Sequence, residues 1–117
     1  MNNRRTGADN EQLAADYLAK RGMRIAARNF RTRRGEIDII GYEGGYLVFV
    51  EVKYRSTDAR GGALESVNLT KQTRICRAAD YYRFIHNIGD DTNIRYDVIG
   101  IQGREITWIK NAFMHVF

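Results

Sequence analysis

The stretch GEIDIIGYEGGYLVFVEVKYR, residues 35–55, sets charged side chains inside two short apolar segments that read as consecutive strands. Side chains alternate between the two faces of a strand. In the first segment Glu36, Asp38 and Ile40 then share one face, and Ile37 and Ile39 the other. In the second, Val48, Val50 and Val52 form one face, and Leu47, Phe49, Glu51 and Lys53 the opposite one. The second segment is apolar on both sides up to Glu51, the pattern of a central strand covered from both faces. A carboxylate there is costly unless a cation or hydrogen-bond donors compensate it. Glu51 is therefore a candidate functional residue.

Between the segments, Gly44-Gly45 suits a two-residue hairpin, because the preferred turn needs positive φ at both central positions. With those glycines as the loop, Glu43 faces Tyr46. Counting back, Asp38 faces Glu51 and Glu36 faces Lys53, all on one face. Like charges directly opposed across a sheet repel. Two facing carboxylates are tolerable when they share a proton or clamp a divalent cation, with Lys53 relieving part of the charge. A slip of one residue would separate them onto opposite faces, so the expectation depends on the register.

An acid followed at a distance by Glu51-Val52-Lys53 resembles the D…ExK site of the restriction-endonuclease-like superfamily. The segments Arg28-Asn29-Phe30-Arg31, Gly35-Glu36-Ile37-Asp38, Val48-Phe49-Val50-Glu51-Val52-Lys53 and Asn111-Ala112-Phe113 are similar in order and spacing to the YraN family. Those are small bacterial proteins assigned to the endonuclease-like fold and distantly similar to Holliday-junction resolvases. The resemblance runs from Gly7 to Phe113. It implies an α/β, restriction-endonuclease-like mixed β-sheet flanked by α-helices. It also implies that Asp38, Glu51 and the Val52 carbonyl hold Mg²⁺ or Mn²⁺ through oxygen, with water completing the shell. Lys53 would position or help deprotonate a water and support the phosphate charge. Glu36 is a further candidate, through water, and Glu11 on the first helix fits the family pattern.

The composition bounds the reading independently. A chain of 117 residues is expected to form a single domain with a modest core. Its 44% hydrophobic content fits a soluble globular protein, and no apolar run approaches membrane-spanning length. The start, MNNRRTGADNEQ, shows no apolar signal-peptide core, and the single Cys76 forms no internal disulfide; both favour the cytoplasm. Net charge is +5, most of the basic residues are arginine, and the excess lies in residues 1–34. A basic arm beside an acid cluster suits a phosphodiester-handling protein, since the arm attracts the backbone while the acids hold metal. A solvated basic surface is the alternative.

Along the chain, residues 10–21 read as a helix and residues 23–30 as a first strand, with RTRRG a basic turn. The hairpin follows, then an irregular loop over residues 56–68. A second helix is expected from Leu69 to about His86, with Ile75, Ala78, Ala79 and Tyr82 inward. Strands over residues 94–101 and 105–109 close the chain. Lys71, Arg74 and Arg77 recur at helical spacing. With Gln72, Arg31, Arg33, Arg34 and Arg55 they are the candidates for contacting nucleic acid, DNA ahead of RNA. A plain solvated helix face is the competing reading. Tyr17, Tyr81 and Tyr82 read as core or rim rather than base-stacking platforms. Asp97 reads as the structural partner of an arginine such as Arg74, Cys76 as buried packing, and His86 and His115 as surface or rim residues. Glu51 and Lys53 have their own structural alternative, an ion-pair cluster with Glu36 and Arg55.

No CxxC pair, GxxxxGK[ST] loop or GxGxxG is present, so neither zinc of that kind nor a nucleotide cofactor is indicated. The expected function is metal-dependent hydrolysis of DNA phosphodiesters, with branched or damaged structures as candidate substrates and a homodimer as candidate assembly. The alternatives are a noncatalytic nucleic-acid-binding module and a protein-interaction factor in DNA repair.

Overall fold

Thr6 starts the first helix three residues earlier than apolar spacing indicates. Its hydroxyl accepts from the Asp9 amide at 3.1 Å while the Asp9 carboxylate accepts from the Thr6 amide at 3.0 Å. This reciprocal cap satisfies two amides that a helix start leaves orphaned. The computed structural model describes residues 6–55 and 62–117; Arg4 and Arg5 of the basic arm, and the part of the expected loop over residues 56–61, lie outside them. The elements are α1 (Gly7–Lys20), β1 (Arg24–Arg31), β2 (Glu36–Glu43), β3 (Tyr46–Arg55), α2 (Leu69–Ile85), β4 (Ile94–Gln102) and β5 (Glu105–Phe113), with a 3-10 turn at Leu64–Ser66 before α2.

The strands form one mixed sheet in the order β1-β2-β3-β4-β5, antiparallel except where β3 runs parallel to β4 across the α2 crossover. β3 is central and buried on both faces. Leu47 and Phe49 pack with Ile75, Ala78, Ala79 and Tyr82 of α2, whereas Val48 and Val50 pack with Ala14 and Leu18 of α1. This is the restriction-endonuclease-like α/β arrangement. No helix among the described residues is long and apolar enough to cross a membrane.

Gly44 and Gly45 take φ of 56° and 87°, and β2 pairs with β3 in the expected register from Glu43↔Tyr46 to Ile39↔Val50. One detail of the alternation differs. Ile39 faces α1, but Ile37 joins Ile40 on the α2 side, and in β1 both Ala27 and Phe30 lie against that same cluster. The change of face falls at Asn29, whose φ is 53°, and at Asp38 across from it. A residue in the left-handed region interrupts a regular pleat, so strict two-residue periodicity fails at the position of the candidate acid.

β5 is longer than the expected 105–109. Its register against β4 shifts between Tyr96↔Phe113 and Val98↔Ile109, around Asn111 with φ 53°, and pairing then resumes. Asp97 sits at that shift, fully buried. Its arginine partner is Arg95, at 2.9 Å, rather than Arg74. The two share a strand face at i, i+2, whereas Arg74 lies on α2 above Gly35.

Gly35 ends the basic turn under α2. A Cβ there would lie 2.3 Å from the Arg74 carbonyl oxygen and 2.9 Å from its Cβ. Backbone this close cannot give way without moving the helix. Gly35→Ala is accordingly expected to destabilise the fold by about 1–3 kcal/mol, measured by urea denaturation; an unchanged midpoint would show that α2 yields freely at this contact.

Candidate active site

β2 and β3 separate just past Ile39↔Val50, one pair before Asp38 and Glu51. The Val52 amide, without a ladder partner on that side, donates to Asp38 Oδ2 at 2.8 Å. Asp38 is thereby fixed beside Glu51, which is 5% exposed. The two carboxyls are close enough that each affects the other's charge. Burial, first, and then neighbouring Glu51 push the Asp38 carboxyl up to about 8, against the opposing pull of the Val52 amide and Lys71. Burial beside a second carboxyl disfavours the charged form of Asp38, so its protonated form is favoured at neutral pH.

Two ammonium groups face the pair. Lys53 Nζ lies 3.8 Å and Lys71 Nζ 3.3 Å from Glu51 Oε2. Burial and the neighbouring Lys71 charge push the Lys53 pKa down, only partly offset by Glu51. Lys71 moves up, chiefly through the neighbouring Lys53 amine, which can accept from it when neutral, and further through Glu51. The more enclosed amine is thus the readier proton acceptor, and the more exposed one remains a cation. Lys71 comes from the first turn of α2, where Asn68 caps the helix by accepting from the Lys71 amide at 2.9 Å.

Glu11 approaches from α1. Its pKa is raised, first by burial and then by the nearby Asp38, with Arg28 and Asn29 opposing. Glu36 does not lie opposite Lys53. Past Ile39 the β2 strand pairs only with β1, which carries Glu36 outward to face Arg31, 3.3 Å away with both side chains exposed. Glu36 thus drops out of the structural ion-pair alternative, while its Lys53–Glu51 contact is present at 3.8 Å.

Oxygen donors suited to a hard cation converge here. The oxygens Glu51 Oε2 and Glu11 Oε1 are buried without a hydrogen-bond partner. Among the described residues no group of three or more His, Cys, Asp or Glu forms a ready metal cage. Mg²⁺ characteristically uses one or two carboxylates and keeps several waters. Asp38 and Glu51 supply the carboxylates that such a mode needs.

Beside the acids, a groove of about 990 Å³ runs between the β1–β2 turn and α2, lined by Arg31, Arg33, Arg34, Lys71, Arg74 and Arg77 among others. Thr32 shapes the turn by accepting from the Arg34 and Gly35 amides at 3.1 Å. Two candidate contacts lie apart from the groove. Gln72 donates its side-chain amide to the Val67 carbonyl at 2.9 Å, and half-buried Arg55 ends β3. Lys71 at the acid pair and Arg77 in the groove have no local signal beyond helical spacing; α2 docking brings them there.

Comparison with known proteins gives a consistent result. The model of the family described as "Uncharacterised protein family UPF0102" matches residues 10–101. A UPF0102 protein of Lachnoclostridium phytofermentans is 46% identical over 113 residues, covering 97% of this chain and 96% of the relative. The UPF0102 protein lpg2994 of Legionella pneumophila is 47% identical over 105 residues, covering 88% and 89%. One from Vibrio cholerae is 41% identical over 115 residues, covering 96% and 94%. The match spans the strands that carry Asp38 and Glu51 and both helices that pack on them, and the chain belongs to the UPF0102, or YraN, family.

Proposed function

We propose that this site hydrolyses phosphodiester bonds in DNA in a metal-dependent reaction, with branched or damaged structures as candidate substrates. The observation that carries the reading is the Asp38 carboxyl, held by the Val52 amide beside buried Glu51, flanked by two lysines and lying beside a groove of arginines. Asp38, Glu51 and the Val52 carbonyl would hold Mg²⁺ or Mn²⁺. The chemistry supplied with such an ion is Lewis-acid polarisation of the phosphoryl oxygen and a lowered pKa for a bound water. Lys53, its own pKa lowered, takes the proton of the attacking water. Lys71 keeps its charge near the phosphate, and the groove arginines orient the strand.

A noncatalytic DNA-binding module is the second reading. It draws on the Lys53 and Lys71 contacts to Glu51, which compensate that carboxylate without a metal.

Cleavage of a labelled panel (single strand, duplex, flap, four-way junction) with Mn²⁺ or Mg²⁺ distinguishes the two. Metal-dependent cutting is expected, reduced about 10²–10⁴-fold in Lys53→Ala. Undiminished cutting by Lys53→Ala would remove Lys53 from the chemistry. Absence of cutting, with salt-sensitive binding retained, would favour the binding module.

A further inference from the structure

The basic groove does not end at α2's middle turns. A second pocket, about 370 Å³, shares Arg31, Thr32, Arg33, Arg34 and Arg77 with it and closes on Tyr81. Tyr81 is 50% exposed, so it is not a core residue. Its ring stacks on Phe30 at 6.2 Å between centroids and 28° between planes. Phe30 in turn meets the buried Tyr82 edge-on at 5.2 Å. Tyr81 is therefore a half-open ring braced from behind by the core, next to four guanidinium groups.

The charges around it are unequal. Arg31 is paired with Glu36 and Arg77 with Asp80, each at 3.3 Å, and Arg77 also donates to the Val116 carbonyl. Arg33 and Arg34 have no acidic partner among the described residues, and no carboxylate lines this pocket. Flat aromatic surface beside unpaired cations matches a ligand that is both planar and anionic. Double-stranded DNA offers the anions but keeps its base faces stacked within the helix. An unpaired nucleotide offers both.

We infer that this pocket holds an unpaired nucleotide of the DNA substrate, its base stacked on Tyr81 and its phosphates on Arg33 and Arg34. Base–aromatic stacking beside a basic groove is how single strands are held without sequence preference. From Lys71, at the acid pair, to Tyr81 is ten residues of helix, about 15 Å. That is about four nucleotide steps at duplex rise, and fewer along an extended strand. The substrate class is then DNA with a single-stranded segment close to the cut, such as a flap, frayed end or open branch point. The placement relative to a cut rests on the nuclease reading; the stacking itself does not.

The test is binding by the full chain in EDTA, using a short single-stranded oligonucleotide carrying 2-aminopurine and the same sequence as a duplex. Wild type should bind the single strand more tightly and quench the fluorescent base. Tyr81→Phe should keep both properties. Tyr81→Ala should lose the quenching and about tenfold in single-strand affinity, with duplex affinity unchanged. Equal single-strand binding and quenching by Tyr81→Ala would overturn the inference, as would a wild type that prefers the duplex, which would make the pocket a backbone-anion site only. Tyr81-dependent quenching in a preparation that cleaves nothing would support this inference while removing the nuclease reading, so the two fail separately.

Discussion

Asp38→Asn is expected to abolish metal-dependent cleavage and, in the same protein, to raise the stability of the metal-free fold at alkaline pH. The two effects have one origin. Asp38 is held between the Val52 amide and Glu51, with its carboxyl pushed up to about 8 first by burial and then by Glu51. A carboxyl whose folded pKa exceeds its unfolded value contributes stability that is fully present below the unfolded pKa, near 4. That contribution is lost as pH rises through the folded pKa. The metal-free wild type should therefore weaken between about pH 4 and pH 8, whereas an amide, which accepts from Val52 and donates to Glu51 at any pH, should not.

The gain at pH 8.5 should be on the order of 3 kcal/mol, allowing for relaxation of the pair, since each tenfold change in proton affinity corresponds to about 1.4 kcal/mol. In melting temperature this is roughly 10 °C, falling to about a quarter of that at pH 5. Mn²⁺ should reverse the ranking. It needs the deprotonated pair, so its affinity for wild type should rise from pH 6 to pH 8, and only wild type should gain thermal stability from it. Identical melting curves for the two proteins across pH 5–9 would show that the fold does not hold Asp38 protonated.

Asp97→Ala is expected to be the most destabilising single substitution on the far side of the sheet. The Asp97 carboxylate is fully buried and accepts four hydrogen bonds. Two come from Arg95, one from the Trp108 indole at 2.8 Å and one from the Asn111 amide at 2.9 Å. Arg95 extends the network to Glu43 at 2.7 Å, and Lys110 reaches the same glutamate at 3.0 Å. These bonds occupy the interruption of the β4–β5 ladder. Removing the carboxylate leaves a buried guanidinium short of partners and an indole and an amide unsatisfied. Breaking one side of a buried ion pair costs about 3–5 kcal/mol, against a total of about 5–15 kcal/mol for a domain. Urea denaturation should show a loss of that order, with Asp97→Asn intermediate because it keeps two acceptor sites. A loss below about 0.5 kcal/mol, the range of ordinary surface changes, would mean that β5 is held by its apolar contacts alone.

The legible and illegible parts of this molecule divide along one line. Gly44-Gly45 specified both the hairpin and its register, because a tight turn leaves the flanking strands no freedom to slip. Two-sided apolar character identified β3 as central, and helical spacing identified the inner face of α2. The Thr6–Asp9 cap and the Arg95–Asp97 pair were also within reach, since both are interactions of residues two or three apart. Glu36 was misplaced because strand alternation was carried past the point where β2 leaves β3, and the twist at Asn29 and Asp38 broke the same rule.

The sequence by itself determined the order of strands and helices, the pairing of β2 with β3, and the presence of a carboxylate on a strand apolar on both faces up to that point. Those follow from local backbone chemistry and the cost of burying charge. Only the tertiary structure decided that Lys71 rather than Glu36 joins Lys53 at Glu51, that Glu11 approaches the acids from α1, and that Tyr81 meets the arginine turn. Each depends on where a helix docks on the sheet, and docking is set by the summed packing of many side chains, such as the close approach of Arg74 to Gly35.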